Sequence, residues 1–356
     1  MVTPIPSPAF WRGRRVLLTG HTGFKGAWLA IWLQRLGATV SGISLPPATT
    51  PNLFELARVS EGLRSHLCDV RDMAALDRFI GAFEPEVVLH LAAQPLVRAS
   101  YGDPVFTFGS NVMGTVHVLE AARRAGSVRA IVAVTTDKVY RDQRTFFPYR
   151  ETDTLGGHDP YSASKAAAEI VIASYRDAFL RSAGVPLASV RAGNVIGGGD
   201  WSQDRLIPDA VGAWQAGRTL QVRNPAAVRP WQHVLEPLNA YLCLAERLWH
   251  EPALADAYNI GPAAHDVLCV REIVDLAREV YGEGAVEFGQ ADADGPHETH
   301  HLALETAKAR HILGIAPHWS AAEAVRLTME WYRQVKQGGD ARALCHAHID
   351  LFERMS

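Results

Sequence analysis

The sequence predicts an α/β fold, a Rossmann-type doubly wound parallel sheet with a smaller C-terminal mixed α/β lobe. Three observations carry that prediction. Short apolar runs alternate with longer helical segments; a glycine-rich turn joins the first run to the first helix; and the alternation breaks down past Asn194. At 356 residues and 48% hydrophobic, the chain can bury a large core.

The elements follow in order. "RRVLLTG" (Arg14 to Gly20) has a basic entry, an apolar run and a glycine, as suits a strand buried on both faces. "AWLAIWLQRLGA" sets Trp28, Leu29, Trp32, Leu33 and Leu36 at helical spacing, with Gly37 as the stop. "TVSGISL" is a second strand. "VVLHLAA" (Val87 to Ala93), "AIVAVTT" (Ala130 to Thr136) and "PLASVRAGNV" (Pro186 to Val195) are further strands. "NVMGTVHVLEAARRAG" and "SASKAAAEIVIASYRDAFLRSAG" supply helices between them. Beyond Asn194, "GGGDWSQDRLIP" and "VRNPAAVRPWQH" are rich in Gly, Pro and Trp, the composition of binding loops. "VREIVDLAREVYG" and "SAAEAVRLTMEWYRQVKQG" read as helices of the smaller lobe. "AYNIGP" (Ala257 to Pro262) reads as a strand returning to the first sheet. The expected division is therefore 10–193 with about 232–262 as a dinucleotide-binding domain, and 194–231 with about 263–350 as a substrate lobe.

Bulk chemistry narrows the function. With 35 Lys+Arg against 38 Asp+Glu, the chain lacks the clustered base of a nucleic-acid-binding face. Its four cysteines (Cys68, Cys243, Cys269, Cys345) are too scattered for a metal or CxxC motif and read as reduced thiols. "MVTPIPSPAFWRGRR" has no signal-peptide core, and the apolar runs are strand-length, so the expectation is a cytoplasmic protein with no membrane partner.

"TGHTGFKG" spaces Gly20, Gly23 and Gly26 by three between strand and helix. The first permits the tight turn, the second lets a pyrophosphate approach the helix N-terminus, and the third lets helix pack on strand. The acid expected at the end of the second strand to hold the adenine ribose is absent from "SGISLPP", and no Arg stands there for a 2′-phosphate. NAD is therefore favoured over NADP. Asp69, in "CDVRD", reads as a partner for the adenine edge or as the N-cap of "MAALDRFI". Tyr161 and Lys165, four apart in "PYSASKAAAE", share one helix face, where a cation lowers a phenol's pKa and makes it a usable base. Thr136 at a strand end suits the same substrate hydroxyl. The plainer readings are a surface Tyr161 and a strand-end cap at Thr136. His90 reads as a satisfied core histidine, and "HETHH" (His297 to His301) as a nucleotide-facing or surface loop rather than a metal site.

Together, "TGxxGxxG", "HLAAQ", a strand-end Thr and "YxxxK" resemble the extended short-chain dehydrogenase/reductase family, which acts mostly on nucleotide sugars. "PNLFELARV", "HLAAQPLVRASY", "TTDKVY", "LGGHDPYSASK", "RAGNVIGGGDW", "DRLIPD" and "RPWQHVLEPL" resemble its CDP-glucose 4,6-dehydratase group, from about Phe10 to Tyr332. The resemblance implies conversion of CDP-glucose to CDP-4-dehydro-6-deoxy-D-glucose, with NAD retained, by a homodimer in deoxysugar biosynthesis. It implies cofactor contacts from Gly20, Thr22, Gly23, Phe24, Lys25 and Gly26, from Asp69 and Val70, from Leu91, Ala92 and Ala93, and from Tyr161 and Lys165. Tyr161 would take the C4 hydroxyl proton. Asp137 would be the acid at C6 and Lys138 the base at C5, in a position where dehydratases of other nucleotide sugars usually carry Glu.

An amine acts as a base only when neutral, so a proton shared between Asp137 and Lys138 is expected; the plain alternative is a solvated salt bridge. Gln94, Asn194, Arg205, Arg229 and His233 are the implied substrate contacts, with His233 equally readable as structural. Trp201 and Trp231 pack near the nucleotide or belong to the core. Two competing readings keep the fold. A 4-epimerase needs no C6 acid, and a silent NAD-binding sensor would not require Tyr161 and Lys165.

Overall fold

The computed structural model describes residues 3–143, 147–263, 265–289 and 302–355. Seven strands form one parallel sheet: β1 (Arg15–Thr19), β2 (Thr39–Ser44), β3 (Arg64–Leu67), β4 (Val87–His90), β5 (Ala130–Val134), β6 (Leu187–Ala192) and β7 (Ala257–Ile260). Their order is β7-β6-β5-β4-β1-β2-β3. The order reverses between β1 and β4, and the crevice outside the carboxyl ends at such a point is where open α/β sheets bind ligands. β7 pairs in parallel with β6, so "AYNI" does return to the first sheet.

Alternation along each strand builds two cores. Val16, Leu18, Val132 and Val190 face helices α1 (Phe24–Arg35) and α5 (Leu235–His250). Leu17, Val88, Ile131 and Leu187 face α2 (Met73–Phe83), α3 (Gly114–Ala125) and α4 (Pro160–Tyr175). Trp28 and Trp32 of α1 are fully buried. At about 25 cal/mol per Å2, each contributes roughly 4–6 kcal/mol of transfer free energy before entropy is counted.

Four details depart from the sequence reading. β3 was invisible because "RSHL" is a polar, largely exposed edge strand with no apolar run. The helix expected to start at "NVMG" opens instead with a π-helical turn, Gly109–Met113, before α3. "PLASVRAGNV" is two strands: β6 ends at Ala192, and Asn194–Ile196 pairs separately with Trp231–His233. Gly193 sits at that break, where a Cβ would lie 2.7 Å from the Pro230 ring. The N-cap of α2 is Asp72, which accepts from the Ala75 amide; Asp69 does not cap it.

Candidate active site

The carboxyl ends of β1, β4, β5 and β6 open onto a cleft of about 1090 Å3, whose other wall comes from residues 200–209 and 220–231. One ion pair, Arg98 to Asp204 at 3.6 Å, joins the segment after β4 to that wall. Every residue singled out as a cofactor or catalytic candidate lines this cleft.

At the glycine turn, Gly20 has φ +79, and a Cβ there would stand 2.9 Å from the Ala92 amide nitrogen. A Cβ on Gly26 would come within 2.0 Å of the Gly20 carbonyl oxygen. Neither position admits a side chain. At Gly23 the nearest such atom is 3.4 Å away, so that space belongs to the cleft. α1 then begins with Gly23 as its N-cap and no side-chain cap, leaving its first amides for an anion. The Thr22 hydroxyl lies 2.7 Å from that of Ser44 and donates to the Leu45 carbonyl at 2.8 Å, so hydroxyls occupy the end of β2 where an acid was missing. Asp69 is held by the Arg71 guanidinium and amide, which keep its carboxyl below the usual range. Lys25 donates to the Tyr241 hydroxyl at 3.0 Å; burial, then Arg205 and Lys165, lower its pKa to about 7. A glycine cradle, an uncapped helix start and paired hydroxyls fit a dinucleotide.

The end of β5 carries the second group. Thr136 caps the short 3-10 turn Asp137–Val139 by accepting from the Lys138 amide, and its hydroxyl also hydrogen-bonds the Tyr161 phenol. The strand-end cap read for Thr136 is thus present, on the wall of the cleft. Asp137 is 1% exposed, accepts from the Thr136 hydroxyl at 2.9 Å, and leaves Oδ2 with no hydrogen-bond partner among the described residues. A buried carboxylate oxygen without a donor is costly unless a ligand completes it. Lys138 Nζ stands 3.3 Å from Asp137 Oδ1 and 3.3 Å from Asn194 Oδ1, with 31% of its side chain exposed. The pair has salt-bridge geometry, but it sits inside the cleft rather than on the outer surface.

Tyr161 is buried on the facing side of α4. Burial pushes its phenol up to about 12, opposed by the Thr136 hydrogen bond and by Arg205. Lys165 donates to the Val134 carbonyl at 3.2 Å; burial lowers its pKa to about 8, opposed by Glu169. Arg205 acts on the phenol in this structure, and Lys165, four residues along the same helix, reaches strand backbone.

The substrate candidates divide. Asn194, Arg205 and Arg229 line the cleft, with Arg205 oriented by the buried Asp200 at 3.5 Å and Arg229 donating to the Val228 carbonyl. Gln94 lines it too, but its side chain is committed to Thr107 and the Leu96 amide, a scaffold role. His233 is not in the cleft. It is fully buried with its ring against Trp28 and Trp319, because the short strand Trp231–His233 turns that side chain inward. Trp201 and Trp231 line the cleft, and Trp201 also packs edge-on against Trp331 and Tyr332. His90 is a satisfied core histidine, 2.7 Å from Thr19 Oγ1 and 3.1 Å from Thr115 Oγ1. His297 to His301 lie outside the described residues, among which no metal-binding cluster occurs.

Sequence reasoning missed Asn111, which bonds Gln94 and Ser164 from the π-helical turn, and the buried Glu169–Arg191 pair at 2.8 Å. Glu169 had one available signal: it stands four residues after Lys165, on the same helix face.

A family model described as GDP-mannose 4,6 dehydratase matches residues 17–328. The chain belongs to this family. It is 45% identical over 337 residues, 93% of this chain and 94% of the relative, to the CDP-glucose 4,6-dehydratase of Salmonella typhimurium. It is 28% identical to the UDP-glucose 4-epimerase of Mycolicibacterium smegmatis, over 91% of this chain and all of that one. Among solved structures, a dTDP-glucose 4,6-dehydratase from Streptomyces venezuelae with NAD and TYD bound superposes with TM-score 0.77 at 26% identity, covering 92% and 99% of the two chains. These matches place the parallel sheet and its cleft among nucleotide-sugar dehydratases and epimerases.

Proposed function

We infer that this chain converts CDP-D-glucose to CDP-4-dehydro-6-deoxy-D-glucose and water, as an NAD-dependent hydro-lyase. The observation that carries the reading is the buried Asp137, with one orphaned carboxylate oxygen, beside Lys138 and across from Tyr161. A 45% identical relative bearing the CDP-glucose name supports the substrate. The Gly20–Gly26 turn and the start of α1 would hold NAD, which when bound would accept hydride from C4 and return it to C6.

The protein's own groups then divide the proton work. Tyr161 receives the C4 hydroxyl proton as its phenolate, the charged form that Arg205 and the Thr136 hydroxyl favour before the transfer. Lys138 removes the C5 proton that the 4-ketone acidifies. Asp137 donates to the C6 hydroxyl as water leaves. Moving one proton from Lys138 Nζ to Asp137 Oδ1, 3.3 Å apart, converts the ion pair into the neutral base and acid that elimination needs. The Asn194 amide oxygen, 3.3 Å from Lys138 Nζ, fixes the amine's direction. Arg229 suits the diphosphate, since a guanidinium fork pairs with two oxygens.

The assembly proposed is a homodimer through the α3 and α4 faces. Support comes from apolar side chains exposed there: Met113 before α3, Ile170 on α4 and Phe179 just after it. Among the described residues, no helix is long and apolar enough to cross a membrane.

The test is to incubate the pure protein with CDP-glucose and NAD and follow the base-induced absorbance of a 4-keto sugar. A 4-keto-6-deoxy product is expected. Turnover of a different nucleotide sugar alone would overturn the substrate, and a C4 epimer that keeps its 6-hydroxyl would overturn the dehydratase.

A further inference from the structure

Beneath the catalytic surface lies a buried cluster that the reaction scheme does not use. Lys165 and Glu169 stand one turn apart on α4 and grip consecutive residues of β5 and its extension. Lys165 Nζ donates to the Val134 carbonyl at 3.2 Å, and Glu169 Oε1 accepts from the Thr135 hydroxyl at 2.5 Å. The next two residues are Thr136 and Asp137. The other Glu169 oxygen accepts from Ser189 and from Arg191 Nη2, both at 2.8 Å and both on β6. Arg191 continues to the Tyr140 hydroxyl at 2.9 Å and the Glu151 carbonyl at 3.1 Å, and Tyr140 donates to Asn259 of β7. Lys165, Glu169 and Arg191 are each at most 7% exposed.

Such a cluster costs more desolvation than an apolar substitute and is weak as a stabilising device. Its geometry, however, does two specific things. It fixes the β5 end to α4 and β6 at two successive residues, so the reacting groups that follow have little freedom. It also pairs one negative charge with Arg191 of the sheet at 2.8 Å, one helical turn from the buried Lys165.

We propose that Glu169 is a positioning residue for both halves of the reaction: its carboxylate sets the β5 end that presents Thr136 and Asp137, and it keeps the Lys165 amine charged. The groups facing it are Lys165 from α4 and Arg191 from β6, with Tyr140 and Glu151 reached through Arg191. The direction of the Lys165 shift agrees, since burial favours the neutral amine and Glu169 opposes it.

The proposal depends on the dehydratase reading only for which steps slow, so two readouts are used. The first needs no substrate: nuclear magnetic resonance of the full chain labelled at lysine Cε and Nζ, with Lys165 assigned by Lys165→Arg. In Glu169→Gln the Lys165 midpoint is expected to fall by about one pH unit or more, a tenfold change in the protonated fraction. An unchanged midpoint overturns the charge role.

The second readout is turnover of CDP-glucose against pH. Glu169→Gln should move the alkaline limb of kcat to lower pH. Thr135→Val, which removes the grip but keeps the charge, should lower kcat about tenfold with KM nearly constant and the limb in place. A Thr135→Val enzyme with parental kcat overturns the positioning role. If Glu169→Gln does not fold, Glu169→Asp draws the charge back by one methylene and should shift the lysine midpoint in the same direction by less; no shift again overturns it. Should the parent fail to turn over CDP-glucose, the function reading falls, while the lysine midpoint still decides this one.

Discussion

The two proton-handling pairs sit in different physical worlds. Tyr161 and Lys165 are 8% and 7% exposed, on one helix face locked to strand backbone and to the Glu169–Arg191 cluster. Asp137 and Lys138 stand at the strand mouth, and 31% of the Lys138 side chain is open. The buried pair shows large displacements from ordinary values, the phenol upward and the amine downward. At the mouth, Asp137 is buried while Lys138 keeps about a third of its side chain in solvent. The proposed oxidation would thus rely on groups held by the fold, and the proposed elimination on a pair at the mouth of the cleft.

Removing the buried base breaks this comparison most severely. Tyr161→Phe should lower turnover by roughly 10^3–10^4-fold with an unchanged circular dichroism spectrum, and should abolish the first oxidation as well as product. Survival of reduced nicotinamide absorbance in that variant would remove Tyr161 from the first step.

Changing the mouth should act later in the sequence of steps. Lys138→Met should cost about 10^2–10^3-fold in product while C4 oxidation persists, and solvent deuterium should no longer enter C5. Deuterium exchange at the parental rate would mean that Lys138 is not the base.

The last prediction concerns stability rather than turnover and sharpens the point about burial. Desolvation lowers His21 and His348 to about 4 and His90 to about 3, and also depresses His233. Between the ordinary value near 6.5 and those lower values, the unfolded chain binds protons that the folded chain refuses. Stability should therefore fall as pH drops from about 6.5 toward 4, by up to about 1.4 kcal/mol per pH unit per imidazole. Urea midpoints that stay flat across that range would mean these rings are protonated without cost.

Much of the chemistry was readable one segment at a time. The Gly20, Gly23 and Gly26 spacing, Thr136-Asp137-Lys138 after an apolar run, and Tyr161 with Lys165 at four residues are local patterns, and the structure gathers all of them on one cleft. What local patterns could not convey was direction. His233 and Arg229 lie in the same short "RPWQH" stretch, yet one side chain turns into the core and the other toward the cleft. Lys165 shares a helix face with Tyr161, and only the fold shows that its amine also reaches the Val134 carbonyl.

The sequence by itself determined the alternation that makes a parallel sheet, the turn where only glycine fits, and the order of the reactive residues. These follow from the short-range periods of strand and helix and from steric limits on the backbone. Only the tertiary structure decided which polar groups are dry and which partner completes each. It brought Glu169 against Arg191 and Ser189, left Asp137 one oxygen short, and set Arg205 on the same cleft as Tyr161. Burial and hydrogen-bond completion depend on residues distant in the chain, so no local pattern can encode them.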